Sequence, residues 1–452
     1  MLSLGAGLKP APTNQWEIAM DEKKEESLSR LRDEIAMYEP VVEVLKLEPG
    51  EMGHIQLPIL ENIIEQHRKT IECVEEGKTF LASQYTNPVE ILAAMDVHWY
   101  FHLLQLFAAM GGGGGLHTDE DLEGADRLNI PKDCCTIIRL GIYLQVSGLF
   151  PIPTAYLAVT EPCDSIAGWH AAFMHHPDWR NVPVFAPDPP YHNDERAINY
   201  YAGQMREMVE FITEHTGKKL DMDRLKEVVE ETNKCYALWM EYNEIRRASP
   251  TPHGYILPGS CFFQTNTFGA GDPQKTLWYK DMVADAEMRV RENKPEVTNQ
   301  KIRVFWYDIQ PFYFDQIALW LELEWGAVIA MDMASYCPYE LVDTSTEERM
   351  FQGLAKRAFQ DGVMIHQARG LAENVSHDIT RIVKDYNIDC VIFPGHMGHK
   401  DMAASSSIMR DTCRELGVPF LYIGLDAADY RYTTVDEIKD KISQFFTAMG
   451  LG

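Results

Sequence analysis

Compact metal motifs are missing from this sequence: none of its nine cysteines forms a C-x-x-C pair. That excludes zinc ribbons, rubredoxin knuckles and bacterial-ferredoxin runs, all of which need closely spaced thiolates. Any metal site must be assembled from distant parts of the chain. Positive charge is also scarce, with 41 Lys+Arg against 68 Asp+Glu and a formal net charge of −27. So acidic a surface repels phosphate backbones and anionic headgroups, which argues against nucleic-acid binding and against a membrane-surface role. Long apolar runs are absent as well. Stretches such as Ile91 to Met110 carry Asp96, His98, His102 and Gln105 inside them, so no transmembrane span is expected. Met1 to Pro12 lacks a basic n-region and an adequate apolar h-region, and reads as a disordered leader with Met20 as an alternative start. The glycine run Gly111 to Gly115 follows no strand and has no G-K-[ST] ending, so it is not a phosphate loop. These absences together predict a cytoplasmic protein whose cysteines are thiols.

What is present is an αβ rhythm in a chain of 452 residues, 46% of them hydrophobic, long enough for two or three domains. Glu22 to Gly77 is charged and periodic, as helices are, and Pro88 to Ala109 has a helical pattern. Short buried strands are expected at Ala155 to Val159 and Pro183 to Ala186, with a helix from Asp164 to Met174 between them. Two long amphipathic helices come next, Asp194 to Glu214 and Met222 to Arg247, joined through a C-cap glycine, Gly217, and an N-cap aspartate, Asp221. Pro250 to Gly271 reads as a long loop, Thr276 to Asn293 as a helix and Pro295 to Gln300 as a linker. A second series then places strands at Ile302 to Tyr307, Ala327 to Met331, Cys390 to Phe393 and Phe420 to Ile423. Its helices are Phe314 to Leu323, Leu371 to Tyr386, Ala403 to Leu416 and Asp436 to Met449. Strands alternating with crossover helices imply the α/β class: two doubly wound, Rossmann- or flavodoxin-like parallel-sheet domains plus a helical N-terminal segment. The expected divisions are residues 1–77, 78–298 and 299–452.

Chemistry in such sheets collects at the carboxyl ends of the strands. One strand end runs into Cys163-Asp164-Ser165 just before a helix, where the dipole favours a thiolate. Another runs into His396-Met-Gly-His399-Lys400, and a third into Ser335-Tyr336-Cys337; Cys134-Cys135 precedes a further apolar helix. Each also has a plainer reading. Adjacent cysteines are commonly just small residues, Cys163 an inert helix-start thiol, and the two histidines turn caps. Cys73, Cys235, Cys390 and Cys413 fall within apolar patterns and are expected in the core.

The order and wording of several segments resemble the core subunits of the 2-hydroxyacyl-CoA dehydratase and benzoyl-CoA reductase superfamily, from about Tyr85 to the C-terminus. The segments are Asn87-Pro-Val-Glu-Ile-Leu, Cys135-Thr, Pro162-Cys163-Asp164, Pro183-Val-Phe, Thr216-Gly-Lys-Lys-Leu-Asp, Arg247-Ala-Ser-Pro250 and Leu425-Asp426-Ala-Ala-Asp429-Tyr-Arg431. The wording around Pro250 and the helix to Asn293 is most similar to the larger benzoyl-CoA reductase core subunit. The resemblance implies a [4Fe–4S] cluster held by three distant cysteines. Two of these match Cys135 and Cys163, separated by 163 − 135 = 28 residues; the third position holds His399, 399 − 163 = 236 residues further on. Histidine does ligate iron in Rieske centres, where it raises the potential. Cys134, His396 and Cys337 are alternative donors, and loss of the cluster is the other outcome of the exchange. The resemblance also implies low-potential one-electron chemistry on an acyl-CoA substrate, a paralogous core subunit as partner, and a separate ATP-hydrolysing iron–sulfur activator. Ser165, Ser335 and Lys400 are candidates for positioning substrate or donating protons. A different class, a mononuclear metalloenzyme using His396, His399 and Cys163, is the remaining reading.

Overall fold

The computed structural model describes residues 13–48, 53–84, 87–101, 117–160, 164–190, 194–255, 269–313, 315–336, 340–358 and 372–450, together with residues 192 and 261. The leader Met1 to Pro12, the Gly111 to Gly115 run and most of the Pro250 to Gly271 loop lie outside the described residues, as do Cys163 and Cys337.

Two helices open the chain, α1 (Thr13–Leu47) and α2 (Gly53–Glu76). They are tied together by a buried bond between Glu34 and His67 Nε2 at 2.5 Å. Arg30 of α1 also grips Asp121 of α4 (Thr118–Arg127), so the helical segment is anchored to the first sheet's helices by desolvated charge as well as packing. A buried pair of this kind is costly to break from one side.

The first sheet contains β1 (Leu81–Ser83), β2 (Trp99–Phe101), β3 (Ala155–Leu157) and β4 (Val184–Phe185), all parallel, in the order β2-β1-β3-β4. The expected helix over Pro88 to Ala109 is corrected here up to Phe101; residues 102–109 lie outside the described residues. Helix α3 covers only Val89–Ala94, because Asp96 adopts a left-handed φ of 53° and ends it. The chain then re-enters the sheet, and the buried Trp99-Tyr100-Phe101 pairs in parallel with Leu81-Ala82-Ser83. Helices α5 (Thr136–Val146) and α6 (Asp164–His175) pack together beside β3. Gly141 permits that packing, since a Cβ there would lie 2.6 Å from the Trp169 ring. The long helices α7 (Glu195–Thr216) and α8 (Met222–Ile245) begin on the N-cap aspartates Asp194 and Asp221. Helix α9 (Pro273–Glu292) is capped in the same way by Asp272.

The second sheet repeats the plan. Its strands are β5 (Ile302–Trp306), β6 (Ala327–Asp332), β7 (Cys390–His396) and β8 (Phe420–Leu425), all parallel and ordered β6-β5-β7-β8. Strands β5, β6 and β7 are buried along their whole length, as expected when helices cover both faces. Those helices include α10 (Asp315–Trp320), α12 (Ala372–Asp385), α13 (Lys400–Ala404), α14 (Ser406–Leu416) and α15 (Val435–Ala448), and a π-helical turn, Leu321–Trp325, extends α10; α11 (Glu347–Lys356) instead packs on α7, in the apolar cluster of the first sheet. Strand β7 runs three residues past Phe393, so His396 is a strand residue rather than part of a turn. The protein is therefore α/β, with two four-stranded parallel sheets among the described residues and a helical N-terminal segment. Cys73, Cys235, Cys390 and Cys413 are all buried among apolar neighbours. No helix of the described residues is long and apolar enough to cross a membrane.

Candidate metal centre

Each sheet reverses its strand order beside its first strand, between β1 and β3 and again between β5 and β7. Crevices open at the carboxyl ends of such switch points. In the first sheet the switch point is spanned by side chains: Val159 N–H donates to Gln84 Oε1 at 2.9 Å, and Asn87 Nδ2 donates to the Leu157 carbonyl at 2.9 Å. In the second, β5 runs on into Asp308 and β7 into His396 and His399.

Cys135 is the N-cap of α5 and is buried. Its N–H donates to the Ser165 hydroxyl at 3.3 Å, which holds the cysteine against the start of α6. Against it, from the second sheet, lies Gly398. A Cβ on Gly398 would sit 2.2 Å from Cys135 Cα, so only glycine allows the loop after β7 to approach this closely. The next residue, His399, is buried and interacts with the Cys135 side chain. Its Nδ1 donates to both carboxylate oxygens of Asp308, each at 3.3 Å. Burial disfavours a charged His399, but the Asp308 carboxylate outweighs it and, with Cys135, holds the imidazole pKa well above the ordinary histidine range. His396 goes the other way. Burial lowers its pKa, Asp308 offsets part of this, and His399 adds to the lowering. Its Nε2 donates to the Ile309 carbonyl at 2.8 Å, while its buried Nδ1 has no hydrogen-bond partner.

The seam continues on either side of this contact. Thr136 hydroxyl donates to Asp426 Oδ2 at 2.9 Å, and Asp426 Oδ1 accepts the backbone N–H groups of Ala428 and Asp429, each at 2.8 Å. Lys400 is half-exposed, with Nζ 3.3 Å from the Asp133 carboxylate across the two sheets. Ser335 has a different setting. Its hydroxyl donates to Asp332 and its carbonyl accepts from Trp239 Nε1 at 2.9 Å, so its bonds join β6 to α8. Cys134 is half-buried in the turn before α5.

The structure thus brings Cys135, His399 and Ser165 together. Among the described residues no group of three or more His, Cys, Asp or Glu is arranged to hold a metal ion; Cys163, directly before α6 in sequence, is not among them. Two donors of the expected set are buried in contact, beside an unpartnered imidazole nitrogen, and that donor chemistry suits iron. The residue the sequence did not single out is Asp308. Its signal was available: it lies two residues beyond the IRVFW strand, at a carboxyl end like the others. A separate cavity of about 880 Å³ beside the linker, lined by Pro250, Asp285, Arg289 and Gln300 among others, shares no residue with this site.

Residues 84–449 match the family described as 2-hydroxyglutaryl-CoA dehydratase, D-component. The chain belongs to that family. Its sequence is also similar to curated members of multi-subunit enzymes. It is 22% identical over 193 residues to the (R)-phenyllactyl-CoA dehydratase alpha subunit of Clostridium sporogenes, covering 40% of this chain and 46% of that one. It is 21% identical over 256 residues to the (R)-2-hydroxyisocaproyl-CoA dehydratase alpha subunit of Clostridioides difficile, covering 54% and 61%. It is 24% identical over 112 residues to the (R)-2-hydroxyglutaryl-CoA dehydratase subunit alpha of Acidaminococcus fermentans, covering 24% and 23%. The chain therefore spans no more than 61% of the length of these relatives. The D-component match starts directly after β1 and takes in the second switch point and the whole Cys135–His399 seam.

Proposed function

We propose that this D-component family member is a core subunit of an anaerobic 2-hydroxyacyl-CoA dehydratase, holding a [4Fe–4S] cluster through Cys135, Cys163 and His399. The observation that carries the proposal is the buried contact between Cys135 and His399, residues 399 − 135 = 264 apart in the chain. Family membership supplies the substrate class. The named relatives are dehydratases of 2-hydroxyacyl-CoA thioesters, which favours elimination of water over the ring reduction that the wording around Pro250 suggested.

When bound, the cluster would supply low-potential one-electron chemistry and a Lewis-acidic iron for the thioester carbonyl. The chain's own residues do the rest. Ser165 fixes the backbone of Cys135. The apolar residues around α5, α6 and the Ala427-Ala428 turn pack into one cluster and keep water from the seam. Lys400, at the exposed margin, would exchange its 3.3 Å contact with the Asp133 carboxylate to meet an anionic part of an acyl-CoA. Ser335 is the weaker candidate, since its hydroxyl is already committed to Asp332. The curated relatives are alpha subunits, which supports a paralogous core subunit as partner. The absence of a P-loop motif in this sequence fits ATP hydrolysis by a separate iron–sulfur activator.

Anaerobic purification, followed by iron and sulfide analysis, tests the cluster. The expected result is a brown protein with about four iron and four sulfide per chain, the content of one [4Fe–4S] cluster. A colourless chain that stays iron-free after anaerobic reconstitution overturns the proposal. Zinc without sulfide would replace it with a mononuclear metal site.

A further inference from the structure

Asp308 stands out because its backbone is held where an aspartate is rarely found. Its φ is +114°, a region costly for any residue with a Cβ. The surroundings over-determine that turn. Tyr307 N–H donates to the Ile392 carbonyl of β7 at 2.9 Å, and His396 Nε2 holds the Ile309 carbonyl at 2.8 Å. Asp308 Oδ1 in turn accepts the Ile309 N–H at 2.7 Å. The strained turn thus aims one buried carboxylate at His399 Nδ1, with both oxygens at 3.3 Å. Strain that persists and points at a titratable side chain calls for a chemical role.

We infer that Asp308 is a positioning residue that keeps the His399 proton on Nδ1, so that the Nε2 lone pair is the one left for iron. Histidine ligands commonly donate their second ring N–H to a carboxylate, which fixes tautomer and ring orientation and raises the basicity of the ligating nitrogen. Where a cysteine ligand needs no such partner, a histidine does, and Asp308 supplies it from the neighbouring strand end. The inference takes its metal from the cluster reading, but the tautomer stands on the Asp308 geometry alone.

Asp308→Asn is the informative variant. Ile309 N–H is already bonded to Oδ1, so an asparagine keeps its amide oxygen there and turns its NH₂ toward His399 Nδ1. Nδ1 must then accept, and the proton moves to Nε2, as in other carboxylate-to-amide exchanges beside a histidine. Two readouts are needed. In the metal-free protein, a downfield Nδ1 proton in the NMR spectrum should be present in wild type and absent in both Asp308→Asn and His399→Cys. In anaerobically reconstituted protein with ¹⁵N-histidine, pulsed EPR should show one strongly coupled ligand nitrogen, lost in Asp308→Asn. Iron binding should weaken at least tenfold in that variant, within the range seen when such supporting groups are removed. In the double variant Asp308→Asn/His399→Cys, iron should return, because a thiolate has no tautomer to set.

A nitrogen coupling and iron affinity that are unchanged in Asp308→Asn overturn the inference and leave the cluster reading intact. An iron-free wild type with the downfield proton present sinks the cluster reading while the assignment of the Nδ1 proton holds. A downfield signal that survives Asp308→Asn sinks the assignment. If the double variant fails to regain iron while His399→Cys alone binds it, Asp308 is only holding the turn together.

Discussion

At the scale of single residues, the seam depends on what is not there. Gly398 carries no Cβ, and one added at that position would lie 2.2 Å from Cys135 Cα and 2.4 Å from its nitrogen. Both neighbours are backbone at the start of a helix, so neither can move aside as a flexible side chain would. Gly398→Ala is therefore expected to lower stability by about 1–3 kcal/mol, the usual range for overpacking, and to separate Cys135 from His399. Gly168→Ala is the control: nothing lies within 4 Å of a Cβ there, and it sits inside α6. Thermal melts should show the control unchanged or slightly stabilised, because alanine favours a helix by roughly 0.5–1 kcal/mol over glycine. A Gly398→Ala protein that melts with the wild type would refute the close approach. Residue chemistry was unevenly legible in the sequence. Cys135 and His399 could be picked out from strand and helix ends, and from the wording they share with a known family. Asp308 shows in the sequence only as a strand-end residue; its role comes from a positive φ and from a carboxylate reaching a histidine 91 positions away in the chain.

Among the elements, length decided what could be read. Strands such as IRVFW and AVIAMD are long, apolar and bounded by turns, and both are buried throughout. The strands of the first sheet are three residues or fewer; β3 and β4 were still readable within their apolar runs, but LAS and WYF sit next to helical patterns that absorb them. N-caps were legible because the chemistry is local, as with Asp221, whose carboxylate accepts from the N–H groups of Asp223 and Arg224. The π-helical turn Leu321–Trp325 was not, and it carries a testable consequence. Glu322 in that turn accepts the Tyr255 N–H at 2.9 Å. Burial pushes its pKa up to about 7, the Tyr255 bond offsets part of this, and Glu296 adds to the rise. Its folded pKa is thus above the unfolded value of 4.5, so the folded state binds the extra proton between those two values. Stability from this group is full below pH 4.5 and is lost as pH rises toward and through 7. Glu322→Gln should keep the Tyr255 bond without the charge. Urea midpoints of the variant should exceed wild type at pH 8 and converge with it near pH 5, and equal differences at both would exclude the effect.

Across the whole molecule, the same strand order occurs twice and the two carboxyl ends are joined by a few buried polar bonds. The Thr136–Asp426 bond is the clearest, since the aspartate also ties its own turn through Ala428 and Asp429. Thr136→Val keeps the shape and removes the donor, leaving a buried carboxylate oxygen short of a partner. Hydrogen-exchange mass spectrometry should then show faster exchange at the start of α5 and at residues 426–429 together. The interiors of β5 and β7 should be unaffected, because each is buried within its own sheet. Uniform acceleration, or none, would show that this bond does not hold the seam. The general architecture was legible from the alternation of apolar strands and amphipathic helices. The seam was not, because it is made by residues hundreds of positions apart that share no pattern.

Gly398 against Cys135 has one more consequence, which concerns time rather than shape. The two residues are 398 − 135 = 263 positions apart, so during synthesis the cysteine emerges long before the loop that will cover it. Until then its thiol is open to oxidants and to stray metal ions; once the glycine seats against its main chain, the cysteine is buried. Whatever is meant to reach Cys135 must arrive before the halves close, or wait for them to part again. The contact is thus among the last to form, and the order of synthesis decides how long Cys135 stays uncovered.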